Sequence, residues 1–159
     1  MSQTYFSDDI VEFLYLLYKH KVKYLIVGGE AVIYYGHARL TGDIDIYYER
    51  TEDNIARLFK MLKEFWNNDV PGINNQDELM REGIVVQFGV PPNRVDIINT
   101  IEEVNFAEAW INKKEDKFKD EKKEFGILYI GLDDLIKNKK GVNRNKDKDD
   151  LKFLKKLKR

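Results

Sequence analysis

The chain has 159 residues, 43% of them hydrophobic and 13% aromatic, enough for one packed domain over residues 1–159 and too few for two full ones. With no cysteine and only two histidines, His20 and His37, it excludes disulfides, thiolate metal sites and a histidine-based zinc site; any metal must be held by oxygen ligands, which favours Mg2+ or Mn2+. The net charge of −1 hides an asymmetry, because residues 137–159 hold eleven basic and three acidic side chains, a net of +8 against −9 for the rest.

The opening MSQTYFSDDIVEF lacks the charged and then apolar pattern of a signal peptide, and no apolar run reaches membrane-spanning length, so a cytoplasmic protein without membrane contact is expected. Ser7 is placed to cap a first helix, with Asp8 and Asp9 in its first turn. Ile10, Phe13, Leu14, Leu17 and Tyr18 share its packing face, and it ends near a solvated His20. Tyr24–Val27 reads as an apolar strand, Gly28-Gly29 as a turn, Glu30 to about Gly36 as a short helix with Glu30 facing outward, and the segment bearing Asp43 and Asp45 as a second strand. Tyr34 and Tyr35 are read as packing residues.

The segment from Tyr24 to Tyr48 has the layout of a phosphate and metal site. Residues two apart on a strand point to one face and rise ~6.6 Å along it, so Asp43 and Asp45 lie side by side while Ile44 and Ile46 enter the core. Two carboxylates at roughly 6 Å repel by about 3 kcal/mol at an effective dielectric of 20. A divalent cation would remove that cost. Without a Cβ, Gly28 and Gly29 let the backbone approach a phosphate closely. In the loop before the aspartates, Arg39 can offset triphosphate charge and Thr41 can donate to it; each can equally anchor the loop.

Thr51 caps a second amphipathic helix over 52–65 that buries Ile55, Leu58, Phe59, Leu62 and Phe65. Pro71 and Gly72 break the pattern, and a short polar helix follows over 76–81. Ile84–Phe88 and Arg94–Ile98 read as strands joined by a proline-bent turn. Asp96 sits between apolar residues of the opposite face, so if this strand lies beside the Asp43–Asp45 strand, its carboxylate enters the same site. Residues 112–124 are charge-dense and read as solvated helix or loop. Gly126–Ile130 reads as a buried strand, Leu132–Lys140 as a helix that Gly141 ends, and 145–158 as a basic helix with Leu151, Leu154 and Leu157 inward. Lys139 and Arg144 can reach a nucleotide from this side, with Asp147 holding Arg144; an ion pair between helices explains the same residues. The expected fold is therefore α/β (α+β), a small mixed, twisted sheet carrying the three aspartates, with helices on its other face and at its ends.

Val27-Gly28-Gly29, a short helix and Asp43-Ile44-Asp45 resemble the DNA polymerase β-like nucleotidyltransferase superfamily. The segment Gln87–Ile97, then Asn105–Trp110, and the closing pattern Leu132–Lys139, Arg144, Lys146-Asp147 and Asp150-Leu151 are similar to a small bacterial family of largely uncharacterised nucleotidyltransferase-fold proteins. The resemblance covers roughly residues 24–154. It departs around 143–145, where a glycine and often a proline would stand near the arginine.

What the resemblance implies is a nucleotidyltransferase fold and a metal-dependent enzyme. It would move a nucleoside monophosphate from a nucleoside triphosphate to an acceptor hydroxyl and release pyrophosphate. By the same resemblance Asp43, Asp45 and Asp96 would bind Mg2+ (or Mn2+), Asp96 taking the acceptor's proton, and Gly28, Gly29, Arg39, Thr41, Lys139 and Arg144 would hold the nucleotide. The acceptor, whether a small molecule, a transfer RNA end or a protein hydroxyl, is left open by the sequence. A non-catalytic nucleotide-binding protein, or an interaction module of the toxin–antitoxin kind with an RNA or protein partner, is the alternative, motivated by the basic tail.

Overall fold

The computed structural model describes residues 6–39, 41–91, 93–142 and 144–158. Its centre is a six-stranded mixed sheet in the order β3-β4-β2-β1-β6-β5, formed by β1 (Tyr24–Val27), β2 (Asp43–Tyr48), β3 (Val85–Phe88), β4 (Arg94–Ile98), β5 (Lys114–Lys119) and β6 (Glu124–Tyr129). The helices are α1 (Asp8–Lys19), α2 (Gly28–Tyr34), α3 (Glu52–Phe65), α4 (Phe106–Ile111), α5 (Leu132–Gly141) and α6 (Asn145–Leu157), with a 3-10 turn over Gln76–Met80.

The first and third helices form where their caps and periodicity place them. Ser7 accepts from the Ile10 amide and Thr51 from the Asn54 amide, each satisfying a donor that a helix start leaves open. Together α1 and α3 bury Phe13, Leu14, Leu17, Ile55, Leu58 and Leu62 against Ile44, Ile46, Val95 and Ile97 on one face of the sheet. Leu16 joins them, whereas Tyr18, expected inward, is 52% exposed and rests on Phe125 at the margin. His20, read as solvated, is half-buried at the end of α1. Its Nε2 lies 2.9 Å from Glu64.

The opposite face carries a second apolar cluster, Leu25, Val27, Ala31, Val32, Tyr47, Phe106, Leu135, Ile136 and Leu154. Helices therefore cover part of the face that bears the aspartates as well. Along β1 and β2 the positions Leu25, Val27 and Tyr47 are apolar on that side, and α2, α4, α5 and α6 bury them. Tyr34 stacks on Tyr129 at 4.0 Å and Tyr35 donates to the Ile130 carbonyl at 2.7 Å, so the tyrosine pair packs and anchors. Leu154 is buried, but Leu157, expected beside it, is 44% exposed in the last turn of α6.

The segment expected to be solvated helix or loop contains β5, antiparallel to β6 from Lys114↔Tyr129 to Lys119↔Glu124. Its sequence KEDKFK has one apolar residue, Phe118, which is buried. Pairing with β6 overrides the local composition, and the charges fall on a sheet edge, where they discourage a further strand from adding.

Candidate active site

Strand pairing builds the carboxylate cluster. Strands β2 and β4 run parallel, with Asp43 opposite Arg94 and Asp45 opposite Asp96, so every second residue of both strands projects to the same side. One oxygen from each of Asp43, Asp45 and Asp96 lies within 4.8 Å of the others. Asp43 and Asp45 are half-buried and Asp96 is 7% exposed. Burial, and then the neighbouring charges of Asp43 and Asp96, pushes the Asp45 carboxyl up to about 7.

The strand β1 passes directly into α2, and the change of direction is taken up at Gly28, whose φ is +67°. A Cβ there would run into the Asp45 carboxylate, and one at Gly29 would come within 2.8 Å of the Arg39 guanidinium and 2.9 Å of the Thr41 hydroxyl. Thr41 in turn donates to the Asp43 carboxylate at 3.3 Å. The glycines, the loop residues and the acids are thus adjoining. Exchanging Gly28 for alanine is expected to displace Asp45, lowering Mn2+ affinity at least tenfold. It should cost about 1–2 kcal/mol in stability for the left-handed backbone. Titration calorimetry and thermal melts would check both, and unchanged Mn2+ affinity would sink the idea.

Arg94 was not singled out from the sequence, although its spacing from Asp96 puts both on one face. Its guanidinium grips Asp96 at 2.9 and 3.0 Å and reaches Asp43 at 3.6 Å. It is the countercharge of the cluster, and its own pKa is raised by that hydrogen bond to Asp96.

Lys139 and Arg144 approach the acids from α5 and α6. Lys139, 4% exposed, pairs with Asp147 at 2.9 Å and with Asp150 at 3.1 Å. Arg144 grips Asp147 through contacts of 2.6 and 3.2 Å. Burial alone would raise the Asp147 carboxyl, but Arg144 and Lys139 outweigh it and hold it at about 2. Asp150, fully buried, also takes Arg39 at 2.9 and 3.1 Å. The charges of Lys139 and Arg144 are also felt across the gap, Lys139 by Asp45 and Asp45 by Arg144. The inter-helix ion pair is therefore present, and it joins Lys139 to Arg39 through Asp150, while Lys139 and Arg144 reach the carboxylate cluster by charge alone. Asp150, which joins Arg39 to Lys139, stands in the sequence as part of the closing Asp150-Leu151 pattern, with no site role assigned to it. Of the departure near Arg144, Asn143 lies outside the described residues.

Glu30, expected to face outward, is buried at 8%. It belongs to the first turn of α2, which packs on the sheet against β1 and β2, and a carboxylate is favoured at that end of a helix.

A family described as a nucleotidyltransferase of unknown function (DUF6036) matches residues 8–155. The chain belongs to that family. The match takes in all six strands and each acid of the cluster, and it agrees with the resemblance carried by the glycine pair and the closing Lys, Arg and Lys-Asp pattern. No curated protein matches the sequence. Among the described residues no helix is long and apolar enough to cross a membrane.

As a nucleotidyltransferase-family site, the cluster offers three carboxylates and no nitrogen or sulfur donor. That is a donor set for a hard cation. Arg94 already brings positive charge to these carboxylates, as a cluster that favours a cation on this face of the sheet would. The other grouping with ligand-like spacing, His37, Asp149 and Asp150, is already met by Arg39 and Lys139 at Asp150.

Proposed function

We propose that the protein transfers a nucleoside monophosphate from a nucleoside triphosphate to an acceptor hydroxyl, releasing pyrophosphate. The observation that carries this reading is the convergence of Asp43, Asp45 and Asp96 on adjacent parallel strands, with the glycines and Arg94 against them and the charges of Arg39, Lys139 and Arg144 close by. Asp43, Asp45 and Asp96 would hold Mg2+ or Mn2+, which supplies Lewis-acid charge at the reacting phosphate and lowers the pKa of a bound hydroxyl.

The remaining work falls to the chain. The bare backbone at Gly28 and Gly29 admits the outer phosphates, with Thr41 donating to them. Arg39, Lys139 and Arg144 offset their charge while keeping their own carboxylate partners, so the triphosphate meets preorganised cations. Asp96 receives the acceptor's proton as the acceptor oxygen bonds to the α-phosphorus. The bond to the bridging oxygen breaks and pyrophosphate leaves with its electron pair. Arg94 must release one of its carboxylates as the site fills, which frees a guanidinium at the mouth.

Calorimetric titration of each nucleoside triphosphate with Mg2+, on wild type and on Asp43→Ala/Asp45→Ala, tests the reading. Metal-dependent binding lost in the double variant is the expected result. No binding to folded wild type would overturn a stand-alone enzyme. A second reading, an RNA-binding module, is favoured by the exposed Lys148, Lys152, Lys155 and Lys156 of α6; it predicts salt-dependent RNA binding that survives Asp43→Ala.

A further inference from the structure

The three acids of the cluster differ in what faces them. Arg94 lies opposite Asp43 in the β2–β4 register and two residues before Asp96 on its own strand, so its side chain projects to the same face as both. Its Nε and Nη2 donate to the two oxygens of Asp96 at 2.9 and 3.0 Å, and Nη2 lies 3.6 Å from Asp43 Oδ2. Asp45, opposite Asp96, has no ion-pair partner among the described residues, and the backbone of Gly28, free of a Cβ, adjoins its Oδ2.

A guanidinium is charged at every working pH, and its planar fork matches a carboxylate. The chain thus supplies one fixed cation to the cluster itself, astride Asp43 and Asp96. Two-metal sites for phosphoryl transfer hold their ions about 3.5–4 Å apart. A second ion shared by Asp43 and Asp96 would lie against Arg94, positive charge on positive charge. At Asp45 a single ion meets no such conflict. An ionised carboxylate has about four lone-pair sites, of which a bidentate arginine takes two, so Asp96 keeps capacity for that ion while holding Arg94. When ionised, the three acids and Arg94 carry a net charge of −2, which one divalent ion neutralises.

We propose that Arg94 takes the place of a second metal ion, so that the cluster binds a single Mg2+ or Mn2+ at Asp45, shared with Asp43 and Asp96. This rests on the metal-dependent reading of the site and fixes the number of ions that serve it. Asp43, held at 3.6 Å, is the carboxylate that Arg94 gives up, and the bidentate contact with Asp96 persists.

Electron paramagnetic resonance of Mn2+ counts the bound ions and separates a lone ion from a pair, because ions about 3.5–4 Å apart couple magnetically. The probe is Mn2+ with a nucleoside triphosphate whose α–β bridge is methylene, and protein in excess over the analogue. Wild type is expected to hold one ion per complex, with the spectrum of an isolated centre. Arg94→Gln, which removes the charge, should gain a second ion and show the coupled spectrum, whereas Arg94→Lys should hold one. Melting curves confirm that each variant is folded. A coupled pair in wild type would overturn the proposal and leave the transferase reading standing; a single ion in Arg94→Gln, or a pair in Arg94→Lys, would overturn it as well. Absence of bound Mn2+ from wild type would overturn both.

Discussion

Asparagine at position 45 is expected to make the metal-free protein more stable at pH 8 while abolishing Mg2+-dependent nucleotide binding. The Asp45 carboxyl stands at about 7 in the fold, through burial and then the charges of Asp43 and Asp96, against an ordinary value of 3.8. Between those limits the native state holds a proton that the unfolded chain has lost. Stability therefore falls as pH rises from about 4 to 7 and stays low above it. The full shift corresponds to about 4 kcal/mol. Movement of Arg94 and entry of water reduce this, and we expect about 1–3 kcal/mol, a rise in melting temperature of roughly 3–10 °C in a domain of this size.

Calorimetric scans of wild type and Asp45→Asn in chelator, at pH 5 and pH 8, would show a gap at the higher pH roughly two to three times that at the lower. Added Mg2+ should stabilise wild type alone. A variant less stable than wild type at pH 8, or a gap that ignores pH, would contradict the reading of Asp45 as a carboxylate held at a cost to the fold. A polar group kept against stability is what a ligand site, and not a packing contact, requires.

Alanine at position 150 is expected to be strongly destabilising. Asp150 is fully buried and receives Arg39 at 2.9 and 3.1 Å and Lys139 at 3.1 Å. Its removal leaves Lys139, itself 4% exposed, with Asp147 as its ion-pair partner among the described residues, and takes the Asp150 carboxylate from Arg39. Breaking one side of a buried ion pair in this way costs about 3–5 kcal/mol, a large part of the 5–15 kcal/mol typical of a whole domain. Asp149→Ala, one residue away and 73% exposed at the side chain, should change stability by less than about 0.5 kcal/mol. Urea unfolding of both variants gives the comparison, and an Asp150→Ala value within 1 kcal/mol of wild type would rule out the buried network as a support of α6.

Local chemistry accounts for what could be read in advance. Ser7 and Thr51 mark helix starts, and the alternation in Asp43–Tyr48 and Arg94–Ile98 assigns each side chain a face, so the convergence of three acids needed only the assumption that β2 and β4 adjoin. Three misreadings share one cause, dependence on partners distant in the chain. Strand β5 exists because β6 pairs with it, Glu30 is buried because α2 packs on the sheet against β1 and β2, and Asp150 gains its role from Arg39, 111 positions earlier. Arg94 differs, since period-2 spacing already placed it over Asp96; attention to acids alone concealed it.

The contact between Arg39 and Asp150 also bears on the order in which a ribosome makes the molecule. The glycines, Asp43, Asp45, Asp96 and its partner Arg94 are complete when two-thirds of the chain has emerged, yet Arg39 meets Asp150 only after α6 follows. The ion pair that ties the loop before Asp43 to α6 therefore waits for α6 to be made.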